Sequence, residues 1–313
     1  MVGATGNYVM SALSAPHFHN EEAAYEYVEA RIWPNGAVCP HCGGVERIGK
    51  MGGASTRIGT YKCYQCRKPF TVKIGTIFEA SHVPMRLWLQ AIYLIASSKK
   101  GFSSNQLHRT LGVTLKTAWF MSHRIREAMR SGDLSPFGAE GGAVEVDETF
   151  IGREPGKPVK RAYHHKIKVL TLVDRETGRA RSMVVDDLKP ATVAPIVLEN
   201  LSREARLMTD EAGHYLHVGR EFSEHGVVRH GKGEYVMSGG VHTNTIEGYF
   251  SIFKRGMKGV YQHCAKRHLH RYLAEFDFRY SERQANGVND AARADLLLAG
   301  VVGKRLTYER AGA

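Results

Sequence analysis

Four of the five cysteines are grouped in two pairs, Cys39-Pro-His-Cys42 and Cys63-Tyr-Gln-Cys66, with twenty residues between the pairs. Each pair offers two thiolates from one tight turn, and two such turns complete a tetrahedron around zinc. Disulfides fit poorly, because the N-terminal residues lack the pattern of an export signal, and a redox site would need one pair only. The spacing predicts a structural Zn²⁺ held by Cys39, Cys42, Cys63 and Cys66, with no open position for catalysis. Cys264 receives no function.

Three carboxylates could do a second kind of chemistry, because each lies where a predicted strand or helix meets a loop. Asp147 lies at the end of a strand, Asp210 follows another strand, and Glu247 begins a helix. Phosphodiester transfer develops charge on both the attacking and the leaving oxygen, and two divalent ions about 3.5–4 Å apart stabilise both. Carboxylates from distant segments suit two Mg²⁺ or Mn²⁺ ions, since hard cations prefer oxygen ligands.

Other acids compete for these roles, so the residues alone leave the triad open. Glu145 shares the face of Asp147 at the period of a strand. Glu247 has a structural alternative, because Asn244-x-x-Glu247 has the form of a helix capping box. The remaining competitors are neighbours of a candidate or follow another strand: Glu148, Glu211, Asp186 and Asp187.

The charge predicts a polyanionic partner. The formal net charge is +12, and the sequence pI is near 9.5. Residues 99–130 carry seven Lys/Arg and one acid, and residues 254–283 carry eight Lys/Arg and three acids. Two concentrated basic segments favour nucleic acid over a diffuse excess of charge.

Residues 101–121 within the first basic segment have the pattern of a helix-turn-helix. Gly112-Val113 would form the turn and Thr114 would cap the second helix. On that helix Lys116, Thr117, His123 and Arg124 are expected on or near the exposed face, where a helix-turn-helix meets the major groove. An ordinary helical hairpin with solvated basic residues is the alternative.

Hydrophobic periodicity predicts an α/β protein with a mixed sheet covered by helices. The predicted strands span 144–151, 166–173, 179–185 and 205–209. The predicted helices span 17–33 (capped by Asn20 or His19), 85–95, 103–111, 114–130, 191–200, 245–258 and 268–283. No apolar run approaches the roughly 20 residues needed to span a bilayer, so we expect a cytoplasmic protein without a membrane partner.

The order of these segments resembles the insertion-sequence transposases related to the Merlin (ISXO2-like) group, over nearly the whole chain from about Phe18 to Arg283. The residues that carry the resemblance are, besides the two cysteine pairs with the following Arg67-Lys-Pro-Phe-Thr71, Val146-Asp-Glu-Thr-Phe-Ile-Gly152, Thr209-Asp-Glu211, His242-Thr-Asn-Thr-Ile-Glu247, Phe253-Lys-Arg-Gly256 and His268-Leu-His-Arg-Tyr272.

The resemblance implies an RNase H-like fold and a DDE-type catalytic triad on Asp147, Asp210 and Glu247. Some similar proteins have Asn at the third acidic position, whereas this chain has Glu. Lys254 and Arg255, one to two turns beyond Glu247, would meet DNA phosphates, and a solvated basic face is the alternative. The implied organisation is an N-terminal helix (1–35), a zinc ribbon (36–80), a helix-turn-helix region (81–131), a linker (132–142), the catalytic domain (143–285) and a C-terminal tail (286–313).

The function thus expected is a DNA transposase that binds terminal inverted repeats and catalyses two-metal cleavage and strand transfer, as a homodimer or larger assembly on double-stranded DNA. One alternative is a zinc-ribbon transcription regulator without catalysis. Another is a nuclease that cleaves DNA and does not join it.

Overall fold

The computed structural model describes residues 11–159, 163–229, 236–237 and 240–307. These residues form two compact units. Of the described residues, 11–97, 104–128 and 290–307 belong to unit 1, and 98–103 together with those between 129 and 289 belong to unit 2. Nothing among the described helices is both long and apolar enough to cross a membrane.

Unit 1 begins with helix α1 (Glu21–Ile32), which starts where the sequence predicts. The side chain of Asn20 caps it by accepting a hydrogen bond of 2.9 Å from the Ala23 N–H. A three-stranded antiparallel sheet follows, in the order β1 (Ile48–Lys50), β2 (Tyr61–Cys63) and β3 (Pro69–Phe70). Helices α2 (Met85–Ser97), α3 (Ser104–Leu111) and α4 (Leu115–Ala128) follow in unit 1, and the short segment 98–103 between α2 and α3 belongs to unit 2.

Helices α3 and α4 are separated by three residues, as the sequence predicts. Gly112 has a φ of +67°, a left-handed conformation that suits glycine at the end of a helix. The hydroxyl of Thr114 accepts a hydrogen bond of 3.1 Å from the Thr117 N–H and so caps α4.

The C-terminal residues contribute a helix to unit 1, α8 (Asp290–Ala299). Leu297 and Leu298 are fully buried, and Arg293 donates a hydrogen bond of 3.1 Å to the carbonyl of Ala96 in α2. The segment 286–313, expected as a tail, therefore contains a packed helix. Its apolar stretch is short, which is why periodicity did not reveal it.

Unit 2 is built on a mixed five-stranded sheet, in the spatial order β6-β5-β4-β7-β8. Strands β4 (Ala143–Ile151), β5 (Ile167–Asp174) and β6 (Ala180–Val185) pair antiparallel, and β7 (Arg206–Asp210) and β8 (Glu224–Val228) run parallel to β4. The first four strands match their predicted positions within one residue.

Helices cover both faces of this sheet. On one face, Val144 and Val146 pack in a core with Val193 and Val197 of α5 (Pro190–Asn200) and with Tyr215. On the other face, the core combines residues of β5 with the apolar sides of α6 (Asn244–Gly256) and α7 (Lys266–Ser281). The even-numbered residues of β4 therefore face α5, and its odd-numbered residues face α6.

Strand β8 lies in the Gly/His-rich stretch 213–241, where no strand was predicted. Its Gly226 is a weak strand former, but a Cβ at this position would lie 2.6 Å from Sδ of Met208 on β7. Glycine at this position thus allows Met208 to approach closely. Because glycine is rare in strands, it also explains why the sequence did not predict β8. The stretch also contains the short antiparallel pair β9 (Val236–Met237) and β10 (Val241–His242).

Candidate active site and metal centres

Asp147 and Asp210 lie side by side because β4 and β7 are adjacent and parallel. The last paired residues of the two strands are Glu145 and Met208. Asp147 and Asp210 each come two residues later, at the same level and on the same side of the pleat. Asp210 is the last residue of β7, and its Oδ1 accepts a hydrogen bond of 3.0 Å from the Ala212 N–H. The structure thus brings together two of the three predicted acids.

Glu148 is the third carboxylate of this group. Asp147, Glu148 and Asp210 each offer a carboxylate oxygen, and these oxygens all lie within 4.8 Å of one another. The buried Tyr215 hydroxyl donates a hydrogen bond of 2.8 Å to Glu148 Oε2, and His214 Nε2 lies 3.4 Å from the same oxygen. Asp147 lies in the middle of β4 and not, as predicted, at the end of the strand, because β4 continues to Ile151. Glu148 enters from the α5 face and Asp147 from the α6 face, just beyond the last residue of β4 that pairs with β7.

The electrostatics of this group indicate unbalanced negative charge. The pKa of Asp147 is raised to about 8, first by burial and then by the charges of Glu148 and Asp210, with Glu247 adding to the effect. Desolvation and like charges both disfavour the ionised carboxyl. A divalent cation would relieve the repulsion, because its charge stabilises the ionised form.

Glu247 lies in the first turn of α6, outside the set of three oxygens but close enough to Asp147 to affect its pKa. Its Oε1 lies 3.5 Å from the Thr243 hydroxyl. The alternative of a capping box at Asn244 does not fit the helix start, because Thr243 precedes the helix and Asn244 is its first residue. Glu247 is therefore not the N-cap partner of Asn244.

Glu145 caps α6. In the sequence it is an alternative to Asp147 as the catalytic acid. Its fully buried carboxylate accepts a hydrogen bond of 2.8 Å from the Ile246 N–H. It also pairs with Arg175, whose Nε lies 2.6 Å from Oε1. Glu145 thus fixes the start of α6, and with it the position of Glu247. The period of the strand predicted which face of β4 carries Glu145, whereas its contact with Ile246 is evident only from the structure.

The other competing acids have roles or positions outside the group. Asp186 pairs with Lys266 at 2.8 Å, with 90% of its side chain exposed. Asp187 accepts a hydrogen bond of 2.6 Å from the Thr192 hydroxyl at the start of α5. Glu211 is exposed.

Lys254 and Arg255 lie in the last turn of α6. Burial lowers the pKa of Lys254, the charge of Asp147 raises it, and Lys258 and Lys166 lower it further. The negative charge of Asp147 therefore acts on the Lys254 ammonium group. Arg255 is exposed, and its Nε donates a hydrogen bond of 3.1 Å to the carbonyl of Ser251.

The four predicted zinc ligands lie together in unit 1. The Sγ atoms of Cys39 and Cys66 are 3.7 Å apart, and those of Cys42 and Cys63 are also 3.7 Å apart. Tetrahedral zinc with Zn–S bonds of about 2.3 Å separates its sulfurs by about 3.8 Å, whereas a disulfide would need about 2.05 Å. The spacing fits zinc, and these cysteines are free thiols.

Each cysteine turn is shaped for this purpose by the residue after its second cysteine. Gly43 and Arg67 both have left-handed backbones, with φ of +73° and +63°. The Cys66 N–H donates a hydrogen bond to Cys63 Sγ, and this lowers the pKa of the Cys63 thiol to about 7. A thiol that ionises more readily is a better metal ligand.

The expected exposed face of α4 is confirmed at its start and wrong at its end. Lys116 is exposed and Thr117 is half-buried. His123 and Arg124 are buried, with 1% and 5% exposure. Arg124 Nη1 donates hydrogen bonds of 2.7 Å and 2.8 Å to the carbonyls of Ile77 and Glu79.

Helix periodicity explains the burial of Arg124. It lies three residues after Met121 and four before Ala128, both buried, and so belongs to the inner stripe of α4. The positive charge of Arg124 led to the prediction of an exposed position, whereas its spacing from Met121 and Ala128 is typical of a buried one.

Comparisons with known proteins match the two parts of the chain that contain these residues. Residues 140–281 match a family model described as an ISXO2-like transposase domain, and residues 19–69 match one described as a transposase zinc-ribbon domain. The chain is also similar to an uncharacterized protein in the transposable element ISH50 of Halobacterium salinarum, with 29% identity over 280 residues, covering 84% of this chain and 91% of that protein. The chain therefore carries a transposase zinc-ribbon domain followed by an ISXO2-like transposase domain.

Proposed function

We propose that this chain binds the terminal inverted repeats of an insertion sequence, cleaves the DNA at these ends and joins them to target DNA. The observation that carries the proposal is the group of Asp147, Glu148 and Asp210 oxygens on two adjacent parallel strands, within the part of the chain that matches a transposase domain. Side chains held on rigid strands suit a reaction that depends on positioning.

In this proposal Asp147, Asp210 and Glu247 form the catalytic triad on an RNase H-like fold, which the mixed sheet of unit 2 with helices on both faces supports. Glu148 is a further carboxylate of the site. Hard oxygen donors fit Mg²⁺ or Mn²⁺, and two such ions, when bound, stabilise the attacking and leaving oxygens of an in-line displacement. The protein's own contribution is to hold these side chains, with Tyr215 orienting Glu148.

DNA binding is assigned to two surfaces in separate units. In unit 1, α3 and α4 would act as a helix-turn-helix, with Lys116 and Thr117 at the start of α4 facing DNA. In unit 2, Lys254 and Arg255 would contact phosphates near the carboxylates. Arg124 is left out of this assignment because it is buried. A structural zinc on the four cysteines would hold the cysteine turns, and a dimer or larger assembly would hold two DNA ends together.

The test is to incubate the full chain with DNA that carries candidate terminal repeats and Mg²⁺, and to map cut and joined strands. Asp147→Asn and Asp210→Asn should bind this DNA and lose cleavage. Asp186→Asn, a change at an exposed competing acid, should retain it. Glu148→Gln and Glu247→Gln, compared side by side, show which glutamate the reaction needs more.

The outcomes separate the alternatives. A chain that binds the repeats and never cleaves them is a regulator, and the enzyme proposal then fails. Cleavage without joining of labelled ends to a plasmid indicates a nuclease.

A separate measurement tests the zinc. Purified protein should contain one zinc per chain, and Cys39→Ser should lose it. A full complement of zinc in this variant would disprove the assignment.

A further inference from the structure

A cavity of about 530 Å³ lies beside the carboxylate group in unit 2. This volume is within the range of about 300–1,000 Å³ that is usual for small-molecule sites. The residues that carry the argument are Glu148, Thr149, Phe150, Tyr163, Lys166 and the pair Lys254 and Lys258. Because Glu148 belongs to both the cavity wall and the carboxylate group, a ligand in the cavity would be next to the reacting phosphodiester.

Positive charge dominates the described wall of this cavity. Three of its residues are lysines, and its one carboxylate, Glu148, already accepts the hydrogen bond from Tyr215. Lys166 and Lys258 are close enough to Lys254 for their charges to lower its pKa, although burial lowers it more. Lysines that repel one another are stabilised by an anion, and lysine is a common phosphate ligand.

An aromatic pair forms another part of the wall. The rings of Phe150 and Tyr163 are stacked, with centroids 4.3 Å apart and planes at 12°. Phe150 supports one side of the pair, and Tyr163 is 54% exposed. Lys166 Nζ lies 5.4 Å from the centroid of the Tyr163 ring. A supported, partly exposed ring beside a lysine cluster is the usual arrangement for stacking a nucleic-acid base while its phosphate is held.

A buried hydroxyl provides an unused polar group at the cavity. Thr149 is 1% exposed, and within the described parts of the chain its Oγ1 has no hydrogen-bond partner. Buried hydroxyls are normally paired, so this atom is one that a bound polar ligand would satisfy.

We propose that the cavity binds one unpaired nucleotide of a DNA strand, with its phosphate on Lys166, Lys254 and Lys258 and its base against Tyr163. A base within a duplex is stacked on both faces and cannot reach such a ring, so the nucleotide must leave the stack. Leaving the stack costs least at a strand end or a mismatch. The inference rests on the proposed function, since it places this nucleotide next to the phosphodiester to be cleaved.

The experiment compares two duplexes that carry the terminal repeat, one fully paired and one with the nucleotide at the cleavage position mismatched. Binding to the full, zinc-loaded chain is measured without added Mg²⁺ or Mn²⁺ and without a chelator, so that no cleavage follows and the structural zinc stays bound. The wild type should bind the mismatched duplex about tenfold more tightly, on the scale of stacking one base. Tyr163→Ala should lose this preference, and Tyr163→Phe, which keeps the ring, should retain it. A duplex with an abasic nucleotide at that position should lose the preference as well.

The result that overturns the inference is equal binding of both duplexes by the wild type, or a preference that survives in Tyr163→Ala. Cleavage with Mg²⁺ is measured in parallel on the paired duplex. Cleavage without a preference for the mismatch refutes the cavity's role alone, whereas absence of cleavage refutes the proposed function and the inference together.

Discussion

Replacing Glu145 by Gln should destabilise unit 2, because Glu145 is a structural anchor of α6. The substitution keeps the shape of the side chain and removes its charge, which leaves the Arg175 guanidinium without its carboxylate. Removing one partner of a buried ion pair costs about 3–5 kcal/mol. Arg175 also donates hydrogen bonds to the carbonyls of Gly240 and His242, so the lower end, about 3 kcal/mol, is expected.

Urea unfolding can assign this loss to one unit. The three tryptophans of the chain, Trp33, Trp88 and Trp119, all belong to unit 1. Tryptophan fluorescence therefore follows unit 1, whereas far-ultraviolet circular dichroism follows both units. In Glu145→Gln, the part of the dichroism transition that belongs to unit 2 should move down by about 1–2 M urea, from a typical slope of about 2 kcal/mol/M. The fluorescence transition should stay in place.

The matched control is Glu176→Gln, at an exposed acid next to Arg175, which should change the stability by less than about 0.5 kcal/mol. The reasoning would be refuted if Glu145→Gln unfolded at the wild-type urea concentration. If it also lost Mg²⁺-dependent cleavage, Glu145 would be acting in the chemistry and not as an anchor.

Three further predictions concern other parts of the molecule. Tyr215→Phe removes the hydroxyl that orients Glu148 and should weaken Mn²⁺ binding by about 10–100-fold; calorimetry that shows wild-type affinity would contradict this role. Arg124→Ala should lower the stability of unit 1 by about 2 kcal/mol or more, because it leaves buried carbonyls unpaired, whereas Lys116→Ala should keep the stability and reduce the salt dependence of DNA binding by about one unit. Burial raises the pKa of Asp277 from 3.8 to about 6, so the folded protein retains a proton that the unfolded chain releases near pH 4. The free energy of unfolding should therefore fall as the pH rises from about 4 to 6, by at most about 1.4 kcal/mol per pH unit. When this free energy is measured by urea unfolding at several pH values, Asp277→Asn should show a weaker dependence on pH; an unchanged dependence would exclude this titration.

The sequence predicted the features that depend on local spacing. The cysteine pairs are one example, because two residues between ligands suffice to form a metal-binding turn. The caps at Asn20 and Thr114 are others, since each is a side chain bonded to a backbone group three residues away. Strand β4 was predicted for the same reason, with Glu145 and Asp147 on one face.

The features that were not predicted depend on contacts between distant segments. Glu148 could not be distinguished from its neighbours without Tyr215, which lies 67 residues later and donates the hydrogen bond that holds it. Glu145 could not be recognised as the cap of α6, because its partner Ile246 is 101 residues away. Arg124 was misplaced because its charge was given more weight than its helical spacing from Met121.

The position of α8 in unit 1 has a consequence for how the chain is made. Unit 1 is assembled from residues before and after the main segment of unit 2, so a ribosome synthesises both cysteine turns and α1 to α4 first and α8 last. The surface of α2 that packs on α8 stays uncovered until about 160 residues of unit 2 have been translated. A nascent chain therefore completes its N-terminal unit only after the segment that carries the carboxylates has left the ribosome. A message truncated before α8 therefore yields a chain in which unit 2 carries the carboxylates but unit 1 lacks the helix that covers α2.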